Sequence, residues 1–135
     1  MLFRSGLEIF LGGLDDRSAK LLPRGCARLR RIFEPVTDGA RFSALLSHRP
    51  QKCEQYRQFG FDLVLSGHNH GGQIRLPGIC EGVFAPDLRL FPERPGGLYN
   101  DGAQIHIVSR GLAKFPMLPR VCNPPEICVV TVRGL

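Results

Sequence analysis

Three of the four histidines in this sequence stand in short polar segments that directly follow apolar runs. His48 lies in Ser47-His48-Arg49-Pro50, and His68 and His70 lie in Ser66-Gly67-His68-Asn69-His70-Gly71-Gly72. Neutral imidazole is the commonest nitrogen ligand for Zn, Fe, Mn and similar ions, and a cluster of such ligands leaves positions open for water and substrate. On an extended segment, histidines two apart point to the same side, and flanking glycines let the backbone turn tightly without a Cβ clash. Taken singly, each histidine is ordinarily a hydrogen-bonded turn residue. Clustered after an apolar run and framed by glycines, they point to metal.

The elements that must position them can be read from the flanking residues. Phe42-Ser43-Ala44-Leu45-Leu46 and Phe61-Asp62-Leu63-Val64-Leu65 are continuous apolar runs of strand length, the pattern of strands buried on both faces. Between them Pro50 suits a first helical position and Gly60 a C-terminal cap, while Cys53, Tyr56 and Phe59 share one helix face. A strand-helix-strand unit of this length joins parallel strands by a right-handed crossover. Both strands then end on one edge of the sheet, where sites of open α/β folds lie, and His48 converges there with His68 and His70.

The rest of the chain is plainer. Leu7 to Leu11 reads as a short strand ended by Gly12-Gly13, and Asp15-Asp16 as a turn or helix N-cap. Ser18 to Phe33 reads as an irregular helix broken by Pro23 and Gly25, with Arg28, Arg30 and Arg31 on a solvated face. Gln73 to Pro77 suggests a short edge strand, with Gln73 bonding near the histidines or opening that strand. Pro86 to Gly102 suggests a long surface loop. Ala103 to Ser109 and Glu126 to Val132 alternate like strands, separated by a connection through Pro116, Pro119, Pro124 and Pro125. His106 points opposite to Ile105 and Ile107 and reads as a strand-surface residue, outside the site. Arg110 and Arg120 read as partners in surface salt bridges rather than as clamps for a substrate phosphate.

Composition sets the outer bounds. At 135 residues, 43% hydrophobic and 22% charged, the chain matches one globular domain or part of one, and not a disordered or collagen-like chain. No stretch approaches the ~18 to 20 apolar residues of a spanning helix, and the N-terminus has no secretory pattern, so membrane association is not indicated. Five cysteines, an odd number without Cys-x-x-Cys spacing, fit a reducing compartment, and the sequence as written reads as cytoplasmic; any export signal of a longer precursor would lie upstream. The net charge of +6 is almost wholly arginine and suits a phosphate-bearing partner. Nucleic acid is not the expected one, because no aromatic residues interleave the basic stretch.

The segments Ser47-His48-Arg49-Pro50 and Leu65-Ser66-Gly67-His68-Asn69-His70-Gly71-Gly72-Gln73 resemble the C-terminal motifs of calcineurin-like metallophosphoesterases, most of all the bacterial subgroup with G-H-T-H-G-G-Q. Leu14-Asp15-Asp16, Ile107-Val108-Ser109-Arg110-Gly111-Leu112 and Pro124-Pro125-Glu126-Ile127 resemble stretches of that subgroup in the same order. The resemblance implies an α/β fold, part of a four-layer α/β/β/α sandwich, with residues 1–135 as the C-terminal portion of a single domain. It implies that His48 and His68 bind one divalent ion and His70 its neighbour, with Asn69 a spacer where threonine is usual. The implied activity is hydrolysis of phosphate mono- or diesters by water activated between two ions of the Mn, Fe or Zn class.

The family's other ligands come from D-x-H, G-D-x-x-D and G-N-H-D/E motifs of an N-terminal half, and this sequence contains none of them. The expectation is therefore that Met1 falls within a larger domain, that the missing half is a partner, and that this chain alone holds at most one ion and is weakly active or inactive. The alternative is a truncated, inactive remnant serving as a metal-binding or interaction module. Half of a sheet sandwich exposes an apolar face or an unpaired strand edge, so the remnant should associate or aggregate. A single-zinc hydrolase using His48, His68 and His70 lacks a carboxylate near them in sequence to act as base.

Overall fold

In the computed structural model, which describes residues 9–20, 22, 25–38, 42–113 and 119–133, the two apolar runs flanking the histidines are neighbouring parallel strands. In chain order the elements are β1 (Ile9–Leu14), α1 (Asp16–Lys20), α2 (Cys26–Thr37), β2 (Phe42–Ser47), α3 (Cys53–Arg57), β3 (Leu63–Ser66), β4 (Gly97–Asn100) and β5 (Ile105–Val108). They build an α/β fold on one mixed five-stranded sheet of order β1-β2-β3-β5-β4, in which only β4 runs antiparallel to its neighbour. Pro50 opens a 3-10 turn leading into α3, Gly60 takes φ +76° after it, and Cys53, Tyr56 and Phe59 are all buried, as their spacing predicts.

Register decides which side of each strand is covered. The pairings Leu45↔Val64 and Val64↔His106 put these residues on one face, where Tyr56, Phe59 and Phe61 pack over them. Phe33 of α2 meets Phe61 edge-on with ring centroids 5.1 Å apart. Each such side chain contributes roughly 1.5–3 kcal/mol by leaving water, so this face is the core. The opposite face carries Leu11, Ala44, Leu46, Leu63, Leu65, Ile105, Ile107 and Leu98, as the pairings show. There Leu11, Leu46, Ile105 and Leu98 remain 42 to 65% exposed. This second face is apolar and partly open to solvent, with Ala44 and Leu63 buried within it.

Several expectations need correction. The first strand does not stop at Gly12-Gly13 but runs through them to Leu14, because Gly12 makes room for Phe61: a Cβ there would lie 2.8 Å from the ring's Cζ. Leu7 and Glu8 lie outside the described residues, as do Pro23 and Pro116. The Arg-rich stretch forms separate helices, and α2 continues beyond Phe33 to Thr37. Among the described residues, Gln73 to Pro77 makes isolated bridges in place of a strand, Ile74 with Val121 and Leu76 with Cys80. The Pro86 to Gly102 loop contains β4, and Glu126 to Val132, despite its alternation, pairs with no strand among the described residues. Asp15 does cap α1, accepting from the Ser18 backbone N–H at 3.0 Å and its hydroxyl at 2.5 Å.

Candidate metal centre

Because β2 and β3 run parallel, Ser47-His48 and Ser66-Gly67-His68 leave the sheet at the same edge. His48 Nε2 lies 3.0 Å from His68 Nδ1, with ring centroids 4.7 Å apart. Two nitrogens each ~2.0–2.1 Å from a shared ion, at 90–110° to one another, stand roughly 2.9–3.4 Å apart. The pair thus has the spacing of two ligands to one ion. Below His48, the Tyr56 hydroxyl donates to the Arg49 carbonyl and accepts from Ser47 Oγ, both at 2.7 Å. Burial pushes that phenol up to about 12, so it stays a donor throughout the physiological range. Arg49 in turn reaches across to Asp16, Nε to Oδ1 at 2.6 Å, which fixes the backbone just beyond His48.

The Gly67 to Gln73 loop is not the extended segment that the His-x-His spacing suggested. His68, His70 and Gln73 have φ of 64°, 48° and 52°, a left-handed conformation that costs non-glycine residues energy and persists only where surroundings hold it. The holding contacts are specific. Gly71, at φ +68°, lies so close to Asn123 that a Cβ would fall 2.2 Å from its Oδ1, and Asn123 Nδ2 donates to the His70 carbonyl at 2.7 Å. Gly72 abuts Gly82, whose Cα would be 2.4 Å from a Cβ. Asn69 is a fully buried anchor rather than a spacer, its Nδ2 donating to the Arg94 carbonyl at 2.7 Å.

His70 makes no hydrogen bond to the pair formed by His48 and His68. It opens a 3-10 turn, with its Nδ1 3.4 Å from Gln73 Nε2. Among the described residues no group of three or more His, Cys, Asp or Glu side chains gathers at one point to hold an ion. Burial, followed by the charges of Arg120 and His48, lowers the His70 pKa; burial and then His48 and Arg49 lower that of His68. Both rings are thus kept neutral, the form that binds metal.

His106 departs from expectation. It is 0% exposed, because the parity that sets it opposite Ile105 and Ile107 points it into the helix-covered face beside Val64. Arg94 Nη1 donates to its Nδ1 at 3.0 Å, so its proton sits on Nε2, which donates to Ser66 Oγ at 2.9 Å. Arg94 is also clamped by Asp101, Nη1 to Oδ2 at 2.6 Å and Nη2 to Oδ1 at 2.7 Å. This buried chain of bonds supports the strand end from which His68 departs. Arg94 gave no sequence signal, whereas for His106 the alternation with Ile105 and Ile107 was readable but not that its face is the covered one. Arg110 does pair with Glu126, Nε to Oε2 at 2.7 Å, but Arg120 instead donates to the carbonyls of Arg110, Gly111 and Ala113. All five cysteines are free, and no helix among the described residues is long and apolar enough to cross a membrane.

Known proteins bear on this geometry. The chain is 36% identical over 129 residues to an uncharacterized metallophosphoesterase of Bacillus subtilis, YkuE, covering 96% of this chain and 42% of that protein. It is 34% identical over 99 residues to the UDP-2,3-diacylglucosamine pyrophosphatase LpxG of Chlamydia trachomatis, covering 64% of this chain and 27% of that one. It is 37% identical over 82 residues to the phosphodiesterase YaeI of Escherichia coli, covering 59% and 28% respectively. No family model and no solved structure matches the chain. The α/β sheet with the histidine loop at its edge agrees with these metallophosphoesterase relatives. The chain belongs to the calcineurin-like metallophosphoesterase family, with the motifs of its C-terminal half. It spans less than half the length of the curated relatives it matches.

Proposed function

We propose that this chain supplies the histidine side of a two-metal phosphoesterase centre. His48 and His68 hold one ion, His70 faces its neighbour, and carboxylate ligands come from sequence beyond these residues. The observation that carries this reading is the 3.0 Å approach of His48 Nε2 to His68 Nδ1 at the carboxyl edge of adjacent parallel strands. When bound, a metal pair of this kind generates a nucleophile from water near neutral pH and neutralises charge on the phosphoryl group. The chain's own contribution is to present imidazoles in a fixed orientation. Burial favours the neutral form of His68 and His70, and Asn69, Asn123 and the Gly71-Gly72 contacts lock the loop that carries these two rings.

Without a carboxylate between them, two divalent ions side by side would repel strongly, so the chain alone is expected to bind one ion and to lack turnover. The partly exposed apolar sheet face supports the same view, since further sequence of such a domain would cover it. The test is equilibrium dialysis against Mn2+ with metal analysis, alongside hydrolysis of bis(p-nitrophenyl) phosphate. One ion per chain, bound far more weakly but still measurably by His48→Ala and by His68→Ala, without turnover, is the expected result. No bound ion would overturn the histidine assignment. Two tightly bound ions with a rate abolished by His70→Ala would overturn the dependence on a missing half.

A further inference from the structure

We infer that Asp87 is the positioning residue that orients His68 toward the ion, an inference that rests on the metal reading above. The His68 side chain is only 12% exposed, and its Nε2 is enclosed without a hydrogen-bond partner. Asp87 Oδ2 faces that nitrogen at 3.6 Å, across the ring from the Nδ1 that meets His48. For both His48 Nε2 and His68 Nδ1 to offer lone pairs to one ion, the His68 proton must reside on Nε2. A buried N–H there needs an acceptor, and Asp87 is the group aimed at it. Closing the gap to hydrogen-bond length takes a shift of less than about 1 Å.

The turn that carries Asp87 is attached to the histidine loop itself. Val83 N–H and Phe84 N–H both donate to the Gly72 carbonyl at 3.0 Å, and Phe91 N–H donates to the Val83 carbonyl at 2.8 Å. Within the turn Ala85 N–H donates to the Arg89 carbonyl at 2.9 Å, Leu88 takes φ 61°, and Ala85 is completely buried. Arg89 Nε holds Asp87 Oδ2 at 2.8 Å, which fixes the carboxylate on the side facing His68. A carboxylate on the far nitrogen of a ligating imidazole sets both tautomer and ring angle, and removing such a partner typically weakens metal affinity about 10- to 100-fold.

The experiment titrates the 135-residue chain with Co2+, followed by visible absorption and by the hyperfine-shifted exchangeable N–H protons of the ligating histidines in the proton NMR spectrum. Asp87→Asn is expected to raise the Co2+ Kd about 10- to 100-fold and to shift or broaden one exchangeable signal, with an unchanged melting temperature of the metal-free chain. Asp87→Glu should restore most of the affinity. In a His68→Ala background, Asp87→Asn should change the Kd less than about twofold, because the effect runs through the ring. Wild-type affinity in Asp87→Asn, or an equal loss in the His68→Ala background, overturns the inference while leaving the metal site standing. Failure of the unmodified chain to bind Co2+ overturns the metal reading, and this inference with it.

Discussion

His106 provides the sharpest thermodynamic test of the buried network. It accepts from Arg94 and donates to Ser66 with no exposure to water. Burial first, and the Arg94 guanidinium second, push its pKa from 6.5 down to about 4. A base whose folded pKa is depressed resists protonation in the folded state while the unfolded chain takes up the proton freely. Stability is therefore intact above about pH 6.5 and is lost as the pH falls toward 4. At about 1.4 kcal/mol per unit, the full effect is ~3 kcal/mol, of which about 2 kcal/mol is gone by pH 5. His68 and His70, also lowered, act in the same window, so the effect of His106 must be isolated by difference. His106→Gln retains a donor for Ser66 and does not titrate. Urea unfolding of both chains at pH 7, 6 and 5 should show the wild type losing about 2 kcal/mol more than the variant between pH 7 and 5. A pH-independent difference, or an NMR titration of the His106 ring with an ordinary midpoint, would refute the reasoning.

Other consequences can be checked more briefly. Gly71→Ala forces a Cβ onto Asn123 at positive φ and should cost at least about 1–2 kcal/mol, seen as a lower melting temperature, whereas Gly13→Ala, with nothing within 4 Å of its Cβ, should change little. Equal melting temperatures for the two variants would contradict the packing described. Tyr56→Phe removes the hydroxyl shared by Ser47 and Arg49 and should cost about 1–2 kcal/mol in urea unfolding. A change near zero would mean that water replaces it. On the open sheet face, Leu98→Lys should shift the chain toward monomer in sedimentation velocity, while the wild type associates in a concentration-dependent way. A monodisperse wild-type monomer would argue against that face as an interaction surface.

The strand-helix-strand unit was legible because each boundary had a local cause. Pro50 and Gly60 bracket the helix, and continuous apolar runs mark strands buried inside a sheet. Convergence of His48 with His68 followed from parallel topology alone. What the sequence did not disclose depends on contacts distant along the chain. Left-handed backbone at His70 and Gln73 is held by Asn123, about fifty residues onward, and no local preference announces it. Arg94, in a stretch rich in Pro and Gly, becomes buried because Asp101 and His106 satisfy it. Glu126 to Val132 alternates like a strand yet forms no ladder among the described residues, so alternation alone does not make a strand.

The contact between Gly72 and Gly82 also divides the chain around it into two kinds of insertion site. Gly72 and Gly82 pinch together, Ile74 between them stays bridged to Val121, and the turn from Leu76 to Cys80 projects beyond that anchor, with Ile79 at 85% exposure near the tip. Doubling the length of such an excursion costs only about 0.6 kcal/mol of closure entropy. A peptide or reporter spliced between Pro77 and Ile79 would therefore project into solvent and leave the histidine loop anchored. The same splice between Phe84 and Phe91 would displace Asp87 and unlock the turn that hangs from Gly72. Variation in length can thus accumulate on one side of the glycine contact, while the other side must keep its register with the histidines.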